Sequence, residues 1–365
     1  MPHPARRDRL RKLLKKSGIR SLLVTNFANV TYLTGFTGDD SYLLITPSDE
    51  ILITDPRYTE QVQGECPGLD MAVRRPGVTM IEVVTKTIEG AKVGSVGIEG
   101  DSMTVSQREA IAEKLPKVEL KTTKGLVESL RAIKDRGEIA EIREAIRIAE
   151  EAYRRLRNTA RPDQTEKQFA DAMDHQMRTL GAKCASFPSI VAVGPNAALP
   201  HARPSEKRLG EAGFFLLDWG ASGRLYKSDL TRMVATGKIP PKLERVYGVV
   251  FKAQAAAIAA IRPGVSGQDI DQRARGIIEE AGFGKNFGHG IGHGIGLAVH
   301  ESPRMAKGVK EPLAAGMVVT VEPGIYLPRW GGVRVEDDVL VTQSGHEVLT
   351  TLPKKWDDIF VNGQA

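Results

Sequence analysis

The strongest constraint on the fold is residues 288–296, where glycine occupies every second position. His289 and His293 lie inside this stretch, and His300 follows it closely. Histidines spaced in this way could share one face of a helix, but each glycine costs a helix about 1 kcal/mol relative to alanine. We therefore expect an extended segment whose backbone can lie close to a ligand or a metal. Three histidines on such a backbone favour a binding site over unrelated packing or surface positions.

Composition places the chain among globular proteins of more than one domain. It has 365 residues, of which 41% are hydrophobic and 26% are charged, so we expect two domains. No apolar run is long enough to span a bilayer, and the basic N-terminus lacks the apolar core of a signal peptide. The net charge of +6 is small and dispersed. We expect a cytoplasmic protein with no nucleic-acid partner and no membrane partner. Cys66 and Cys184 are too few and too far apart for a disulfide framework.

Short apolar runs and helical patterns divide the chain into two parts. Residues 21–25, 42–46 and 50–54 are typical of β-strands, and residues 106–114 are typical of a helix capped by Ser106. The basic run at residues 6–16 has leucines on one helix face, which predicts that its arginines lie on the solvated side. A helical pattern from residue 126 to 157 is interrupted near Gly137. Two further helices are expected near residues 241–261 and 266–281. The domains predicted are an α/β N-terminal domain at residues 1–134 and a second domain at residues 135–365.

Two aspartates interrupt the apolar strands of a predicted β-hairpin. Residues 214–220 run through a turn at residues 221–224 into residues 225–232. If the turn centres between Gly223 and Arg224, Asp218 pairs directly with Asp229, and their Cβ atoms lie about 5 Å apart. Opposed like charges destabilise a hairpin unless a positive charge lies between them. The pair therefore favours a cation site over two solvated surface acids.

A second predicted hairpin repeats this arrangement with glutamates. Residues 318–326 return through a turn centred on Arg329 to residues 332–338, which places Glu322 directly opposite Glu336. Four carboxylates and one imidazole suit two divalent first-row ions, whereas a single structural zinc would favour cysteine and histidine. Such ions activate water and polarise a carbonyl. The reaction predicted is metal-assisted hydrolysis.

These motifs, taken in order, resemble those of the pita-bread metallopeptidases, which include methionine aminopeptidase, aminopeptidase P, prolidase and the metal-free creatinase. The resemblance rests on LDWG at 217–220, YKSDLTR at 226–232, GHGIGL at 292–297, EPGIY at 322–326 and GVRVED at 332–337. It implies an α+β pita-bread catalytic domain with pseudo-symmetric β-hairpins. It also implies two divalent metal ions per chain, manganese with cobalt or zinc as alternatives. The ligands implied are Asp218, Asp229, His293, Glu322 and Glu336.

The first domain resembles the N-terminal domain of creatinase. The matching segments are NVTYLTGF at 29–36, TDPRY at 54–58 and the linker LRAIK at 130–134, followed by Glu138 and Ile139. The resemblance thus covers nearly the whole chain. Methionine aminopeptidases lack this domain, and creatinase lacks the metal ligands, so the resemblance points to the proline-specific branch. It implies a homodimer that cleaves short Xaa-Pro peptides, in which the N-terminal domain narrows the cleft.

The resemblance also implies catalytic roles. Glu322 would take a proton from the attacking water and pass it to the departing proline nitrogen. His201 and His300 would donate hydrogen bonds to the substrate and to the oxyanion that forms during attack.

Substrate contacts are expected from three more side chains. His289 could contact substrate or pack behind the site, and Arg304 could contact substrate or form an exposed salt bridge. Arg334 could bind substrate, orient the nearby glutamate ligand or carry a solvated charge. Two residues depart from the family pattern, because Trp219 is bulky and Lys227 adds a charge. Either could alter the rim of the pocket, and neither is expected to touch a metal ligand.

The function predicted is that of a prolidase, which cleaves Xaa-Pro dipeptides, because the two-domain chain is compact. The alternative is aminopeptidase P, which removes the first residue from longer Xaa-Pro peptides. A remoter alternative is a catalytically inactive protein that uses the fold to bind a peptide or a protein. Relatives of that kind lose metal ligands that this chain retains.

Overall fold

The structure, a computed structural model, describes residues 2–361 and divides into two compact units. Unit 1 comprises Met1–Arg131 and unit 2 comprises Ala132–Ala365. Within the described part of the chain, no helix is both long and apolar enough to cross a membrane. The side chains predicted to form the site all belong to unit 2, since His201 is the first of them in the sequence.

Unit 1 is an α/β domain built on one mixed β-sheet. Its strands are β1 Leu22–Val24, β2 Tyr42–Ile45, β3 Glu50–Thr54, β4 Asp70–Val73, β5 Ser95–Glu99 and β6 Glu119–Thr123. Its helices are α1 His3–Lys16, α2 Phe27–Thr34, α3 Thr59–Glu65, α4 Met80–Gly90, α5 Val105–Lys114 and α6 Leu126–Arg131. The strand order is β4-β3-β2-β1-β5-β6. The three strands predicted first are confirmed as β1, β2 and β3.

Helix α1 buries two arginines that the sequence placed on its solvated side. Leu10 and Leu14 enter the core as expected, but Arg6 and Arg7 are only 7% and 8% exposed. Arg7 forms an ion pair with Glu50 of β3 and donates a hydrogen bond to a main-chain carbonyl of α2. The expectation was wrong because the carboxylate that neutralises Arg7 lies 43 residues away, beyond any local pattern.

Helix α5 begins earlier than the sequence suggested. Its cap is Thr104, not Ser106, and the Thr104 hydroxyl accepts a hydrogen bond from the Gln107 N–H at 3.2 Å. The Gln107 side chain accepts in return from the Thr104 N–H at 2.9 Å, which completes a capping box. Ser106 followed by Glu109 has the same capping-box pattern, so the sequence offered two equivalent starts and the structure uses the first.

Unit 2 combines four helices and several small sheets within the described residues. The helices are α7 Arg136–Arg157, α8 Glu166–Thr179, α9 Pro241–Ala260 and α10 Gly267–Glu280. The strands are β7 Cys184–Ala185, β8 Ile190–Val193, β9 Phe214–Trp219, β10 Ala221–Ser222, β11 Leu230–Ala235, β12 Gly292–Gly294, β13 Glu301–Met305, β14 Val318–Val321, β15 Gly324–Leu327, β16 Gly331–Arg334, β17 Asp337–Val341 and β18 His346–Val348. The sheets are β11-β9-β8, β13-β12-β14-β17-β18, β15-β16 and β10-β7.

The break predicted in the long helical segment is confirmed. Helix α6 ends at Arg131, and α7 begins at Arg136. Asp135 caps α7, because its side chain accepts hydrogen bonds from the N–H groups of Gly137 and Glu138 at 2.8 and 3.0 Å. The interruption therefore lies at the start of α7, immediately before Gly137.

Strand β9 is buried on both faces and delivers Asp218 to the site. Its even-numbered residues belong to the core cluster of α9 and α10, whereas its odd-numbered residues belong to the cluster of α7 and α8. Because strand side chains alternate, Asp218 lies on the first face and Trp219 on the second. The Trp219 indole N–H donates to Ala149 O at 2.9 Å, and its ring stacks on Tyr153 at 5.0 Å. Trp219 is a core residue, so the expectation that it could alter the pocket rim was wrong.

The first predicted hairpin is present with a shifted register. Asp218 pairs with Thr231, so Asp229 lies diagonally from Asp218 and not directly opposite. The turn centres one residue later than the sequence suggested, because Ser222 bridges Lys227. The direct opposition of the aspartates was therefore wrong, although the shift of two residues leaves both on one sheet face.

The second predicted hairpin has the register that the sequence indicated. Gly324 pairs with Arg334, which continues to Glu322 opposite Glu336. The ladder ends before the glutamates, however. The Glu322 N–H donates to Ile291 O at 2.8 Å, and the Glu336 N–H donates to Thr231 O at 3.2 Å. The two chains thus diverge at the glutamates, and each joins a different neighbour.

Candidate metal centre

Several strand ends of unit 2 bring the predicted ligands together. Ligand atoms of Asp229, His293 and Glu336 all lie within 4.8 Å of one another. His293 Nε2 is 3.3 Å from Glu322 Oε1 and 3.8 Å from Asp229 Oδ2. These side chains come from the start of β11, from β12, from the β14–β15 connection and from the β16–β17 connection.

The glycine spacing around His293 serves strand packing. A Cβ at Gly292 would lie 2.0 Å from Thr320 O, and one at Gly294 would lie 2.2 Å from Ser302 O. These carbonyls belong to β14 and β13, the neighbours of β12. The expected extended segment is present as strand β12 at Gly292–Gly294, and the rest of residues 288–296 is irregular. The expectation that glycine opens this backbone to a ligand was wrong at these positions, because adjacent strands fill the space.

Arg334 connects two of the predicted ligands. Its buried guanidinium places Nη2 2.5 Å from Asp218 Oδ2, and its Nε–H donates to Thr231 Oγ1 at 3.0 Å. The Thr231 hydroxyl donates in turn to Glu336 Oε2 at 2.6 Å. Arg334 Nη1 donates to the Tyr326 hydroxyl at 2.9 Å. Of the roles left open for Arg334, these contacts favour orienting the ligand carboxylates, and its burial excludes a solvated charge.

Buried negative charge dominates this part of unit 2. Burial, followed by the charges of Glu336 and Asp218, raises the pKa of Asp229 well above its usual value. Burial and the charges of Glu322 and Asp218 raise the pKa of Glu336 in the same way. Carboxylates held this close cannot all ionise unless a cation lies among them.

Two unpartnered oxygens fit the same conclusion. In the described part of the chain, Asp218 Oδ1 and Asp338 Oδ1 are buried without a hydrogen-bond partner. An unpaired buried acceptor is costly, whereas a cation would satisfy it. Carboxylate oxygens with one imidazole nitrogen are a donor set suited to a divalent first-row ion. The residues present therefore fit a divalent-metal site.

His293 and Glu322 form a tightly coupled pair. Burial opposes ionisation of Glu322, but the hydrogen bond and charge of His293 lower its pKa to about 2. Burial alone would lower the pKa of His293, yet the contact with Glu322 raises it overall. His293 Nδ1 lies 3.1 Å from Gly294 O, so a proton on Nδ1 leaves Nε2 directed at the acids. That tautomer is the one that can bind a metal through Nε2.

His289 is engaged on both ring nitrogens. Nδ1 lies 2.8 Å from Gly290 O, and Nε2 lies 2.8 Å from the Tyr326 hydroxyl. Burial lowers the pKa of His289 and favours its neutral form. A neutral ring that donates from Nδ1 can accept the Tyr326 proton at Nε2. Of the two roles left open for His289, this arrangement favours packing behind the site.

His300 lies beside His293, with ring centroids 4.3 Å apart in an edge-to-face arrangement. Burial, then the charge of His293, lowers the pKa of His300.

Arg304 is exposed, and its backbone lies opposite His293 in the pairing of β12 with β13. His201 is also exposed, and its charge contributes to the lowered pKa of His300. Neither exposed side chain has an ion pair with a described residue, so the structure gives Arg304 no salt bridge.

The residue that follows His300 is held by a buried ion pair. Lys134 Nζ lies 2.8 Å from Glu301 Oε1, and the two side chains are 0% and 5% exposed. The Lys134 N–H also donates to Gly316 O at 2.8 Å. Lys134 belongs to the linker that the sequence matched to the creatinase N-terminal domain, yet in the structure it is part of unit 2.

Lys227, the second departure from the family pattern, is half-buried. Burial lowers its pKa, and its Nζ lies 3.5 Å from Ser222 Oγ. Its main-chain N–H donates to Gly296 O at 3.0 Å, which ties the first hairpin to the histidine segment.

Sequence reasoning missed Asp337 and Asp338, which follow Glu336 in β17 and are 1% and 0% exposed. Asp338 Oδ2 accepts a hydrogen bond from the Asp229 N–H at 3.2 Å. Burial raises the pKa of Asp338 to about 8. A run of three acids at the start of an apolar strand was the available signal, because buried acids are rare without a purpose.

Comparisons with known proteins agree with this geometry. Residues 140–343 match metallopeptidase family M24, and residues 6–133 match the creatinase/prolidase N-terminal domain. A Xaa-Pro dipeptidase of Pyrococcus furiosus is 33% identical, with 94% of this chain and 98% of that protein covered.

Two solved structures are similar over almost their full length. A Xaa-Pro dipeptidase from Bacillus anthracis has a TM-score of 0.94 at 38% identity and covers 99% of this chain and 100% of its own. An X-Pro aminopeptidase from Thermotoga maritima has a TM-score of 0.87 at 36% identity and covers 97% and 99%. The predicted combination of a creatinase-type N-terminal domain and a pita-bread fold is confirmed.

Proposed function

The chain belongs to metallopeptidase family M24, and we propose that it hydrolyses Xaa-Pro bonds in dipeptides. The observation that carries the proposal is the buried cluster of Asp229, His293 and Glu336, whose ligand atoms lie within 4.8 Å of one another. Similarity to two Xaa-Pro dipeptidases along the whole chain supports the choice of bond. Nearly equal identity to an X-Pro aminopeptidase supports longer Xaa-Pro peptides as the alternative substrates.

We propose that two divalent ions are bound, manganese in the first place and cobalt or zinc as alternatives. When bound, such ions polarise a scissile carbonyl and strengthen water as a nucleophile at neutral pH. The excess of buried carboxylate over buried cation supports this occupancy. The proposed ligands are Asp218, Asp229, His293, Glu322 and Glu336.

The remaining chemistry falls to proton transfer and hydrogen bonding by this chain's own side chains. Glu322 has a lowered pKa of about 2, so it is ionised at neutral pH and can accept a proton from the attacking water. It would then pass that proton to the proline nitrogen as the bond breaks. The lowered pKa of His300 keeps its ring neutral, and one N–H would donate to the oxyanion. His201 would donate a second hydrogen bond, and Arg304 would contact the exposed end of the substrate.

Paired substrates test the proposal directly. The metal-loaded protein should cleave a Xaa-Pro dipeptide with a higher kcat/KM than the matching Xaa-Pro-Yaa tripeptide. A preference for the tripeptide would favour the aminopeptidase alternative. Binding of both peptides with hydrolysis of neither would favour the inactive peptide-binding protein.

The variant Asp229→Ala tests the ligand assignment. We expect it to abolish turnover and to lower the bound metal measured by elemental analysis. The surface variant Asp357→Ala is the matched control, since Asp357 is exposed, and it should retain both. Full metal content with normal turnover in Asp229→Ala would contradict the assignment.

We further propose that the protein is a cytoplasmic homodimer. Light scattering should then give about twice the 39.7 kDa chain mass. A single-chain mass at working concentration would contradict the dimer.

A further inference from the structure

The segment that carries His201 is an irregular connection between β8 and β9. It begins with the helical turn Gly194–Ala198 and later contains the turn Leu209–Glu211. It touches the metal centre where Pro200 O accepts a hydrogen bond from Arg334 Nη1 at 3.3 Å. His201 follows at once and is exposed. Without regular structure of its own, this segment needs another element to hold His201 in place.

Glu166, in the first turn of α8, provides that support. Glu166 is 0% exposed. Both of its carboxylate oxygens accept hydrogen bonds from the segment that carries His201. Oε1 accepts from the Val193 N–H at 2.6 Å and from Asn196 Nδ2 at 2.9 Å. Oε2 accepts from the Ser205 N–H at 2.9 Å, from the Ser205 hydroxyl at 2.6 Å and from Asn196 Nδ2 at 3.0 Å. One carboxylate therefore binds residues on both sides of His201, at positions 193 and 196 and at position 205.

Main-chain bonds reinforce the far end of this segment. The Glu166 N–H donates to Lys207 O at 2.8 Å, and the Lys167 N–H donates to Ser205 O at 3.1 Å. The carboxylate is not needed to cap α8, because the Thr165 hydroxyl already accepts from the Gln168 N–H at 3.1 Å. The contacts of the Glu166 side chain thus serve the segment and not its own helix.

A buried carboxylate at position 166 also costs free energy that a neutral side chain with a purely structural role would not. The side-chain partners of its carboxylate are neutral donors, in contrast to buried acids that pair with arginine or lysine. Burying a carboxylate without a cation is unfavourable unless its hydrogen bonds are complete and well directed. Such a hub fixes geometry more tightly than an apolar contact would, since each oxygen requires its donors in place.

We propose that Glu166 is a positioning residue that sets the location of His201 by holding both ends of residues 193–205. The inference deepens the proposed function and rests on the role that it gives His201. It predicts that the charge of the carboxylate matters, because an amide at this position would direct a donor group toward other donors.

The first test compares two buried glutamates in unit 2. Glu166→Gln should lower kcat/KM for a Xaa-Pro dipeptide by roughly 10- to 100-fold, the scale for residues that orient others. It should also speed amide hydrogen exchange across residues 194–205. The control is Glu150→Gln, because Glu150 is 3% exposed and accepts hydrogen bonds from Arg154, Thr351 and Leu352, none of which lies in residues 193–205. At temperatures well below the Tm of the Glu150→Gln variant, kcat/KM and the amide exchange of residues 194–205 should be unchanged.

A double-mutant cycle separates positioning from general damage. His201→Ala should lower kcat/KM, and adding Glu166→Gln to it should lower kcat/KM little further, because the residue being positioned is gone. Losses that multiply in the double variant would overturn the inference. An unchanged exchange rate across residues 194–205 in Glu166→Gln would overturn it as well.

Two further outcomes keep the inference distinct from the proposed function. If the wild type cleaves no Xaa-Pro peptide, the proposed function fails, while the exchange measurement still tests the hold of Glu166 on the segment. If His201→Ala has normal kcat/KM, the inference fails and the rest of the proposed function stands. Should Glu166→Gln not fold, Ser205→Ala removes the 2.6 Å hydroxyl contact to Glu166, together with the longer bonds that this hydroxyl accepts from Asn196 and Lys207. It should act in the same direction with a smaller effect.

Discussion

Glu336 and Asp337 are neighbours in the chain and are 2% and 1% exposed, yet their surroundings are opposite. Glu336 faces other acids, and burial together with the charges of Glu322 and Asp218 raises its pKa well above the usual value. Asp337 faces Arg232 and Lys354, which overcome its burial and lower its pKa. Successive strand side chains point to opposite faces, so one short segment serves two environments.

The difference shows how a structure can hold an unbalanced charge. Asp337 accepts hydrogen bonds from Arg232 Nη2 at 2.7 Å, Thr350 Oγ1 at 2.6 Å and Gln254 Nε2 at 3.0 Å. The same Arg232 donates to Glu336 O at 2.5 Å. Arg232 and Lys354 neutralise Asp337, which makes this the balanced side, and Arg232 also fixes the backbone of Glu336. The acids on the other face can then remain unbalanced until a cation binds.

Breaking the balanced side should have the largest effect. Asp337→Ala leaves Arg232 buried without its carboxylate, and breaking a buried pair in this way costs about 3–5 kcal/mol. We expect that loss in urea unfolding followed by circular dichroism. Asp357→Ala, at an exposed position, should change stability by about 0.5 kcal/mol or less. A loss below about 1 kcal/mol in Asp337→Ala would show that the network does not support the fold.

Neutralising the unbalanced side should act on function. Glu336→Gln replaces a buried acid, whose ionisation its neighbours oppose, with a neutral amide, so the metal-free protein should be at least as stable as the wild type. Metal content should fall, and kcat/KM should drop by at least about 100-fold, the upper end of the scale for outer-shell changes. Elemental analysis and dipeptide assays measure both. If Glu336→Gln were strongly destabilised and kept its full metal content, Glu336 would serve the fold as Asp337 does, and the contrast between them would be wrong.

Two threonines sharpen the contrast with a matched change. Thr350 donates to Asp337 at 2.6 Å, and Thr231 donates to Glu336 at 2.6 Å. Thr350→Ala should cost about 1.5–3 kcal/mol of stability, the scale for hydrogen bonds to charged groups. Thr231→Ala should cost less stability but weaken metal binding by roughly 10-fold or more. If the two variants lost equal stability and kept equal metal affinities, the proposed difference between the surroundings of Asp337 and Glu336 would be wrong.

The pH dependence of the stability of the metal-free protein should show the smallest difference between the two sides. Burial raises the pKa of Asp338 to about 8, and burial with like charges raises that of Glu336. The folded protein then binds protons more tightly than the unfolded chain, so stability falls as pH rises from the usual acid pKa toward 8. Asp337 has a lowered pKa, so its contribution is present at neutral pH and is lost only on acidification. Between about pH 5.5 and 7.5 we therefore expect the Tm to fall as the pH rises, and Glu336→Gln should reduce that fall.

The sequence predicted the second hairpin well because its turn is short and local. Arg329, at the predicted centre, has a φ of 65°, as a tight reversal requires. The first hairpin failed because its strand bends after Trp219. A Cβ at Gly220 would lie 1.9 Å from Ser228 O, and the chain then turns aside to pair with β7. Strand pairing beyond the hairpin itself cannot be read from the hairpin's own residues.

Long-range pairing limited the sequence analysis elsewhere too. The hairpin pattern indicated the acids and the family resemblance indicated His293, and the structure brings Asp229, His293 and Glu336 together. The burial of Arg7 by Glu50 and the grip of Glu166 on Ser205 depend on partners 43 and 39 residues away. Hydrophobic periodicity carries no information about such contacts. What was missed is therefore mainly long-range contacts, one inside unit 1 and one that supports the candidate site in unit 2.

The buried pair of Lys134 and Glu301 decides where the two units can be separated. A chain that starts at Asp135 lacks the lysine and leaves the carboxylate beside His300 without its ammonium partner, a change that costs about 3–5 kcal/mol for a buried pair. A chain that starts at Ala132 keeps that pair and the hydrogen bond from Lys134 to Gly316. Three linker residues thus mark the difference between cutting the chain at the boundary of its units and cutting into unit 2.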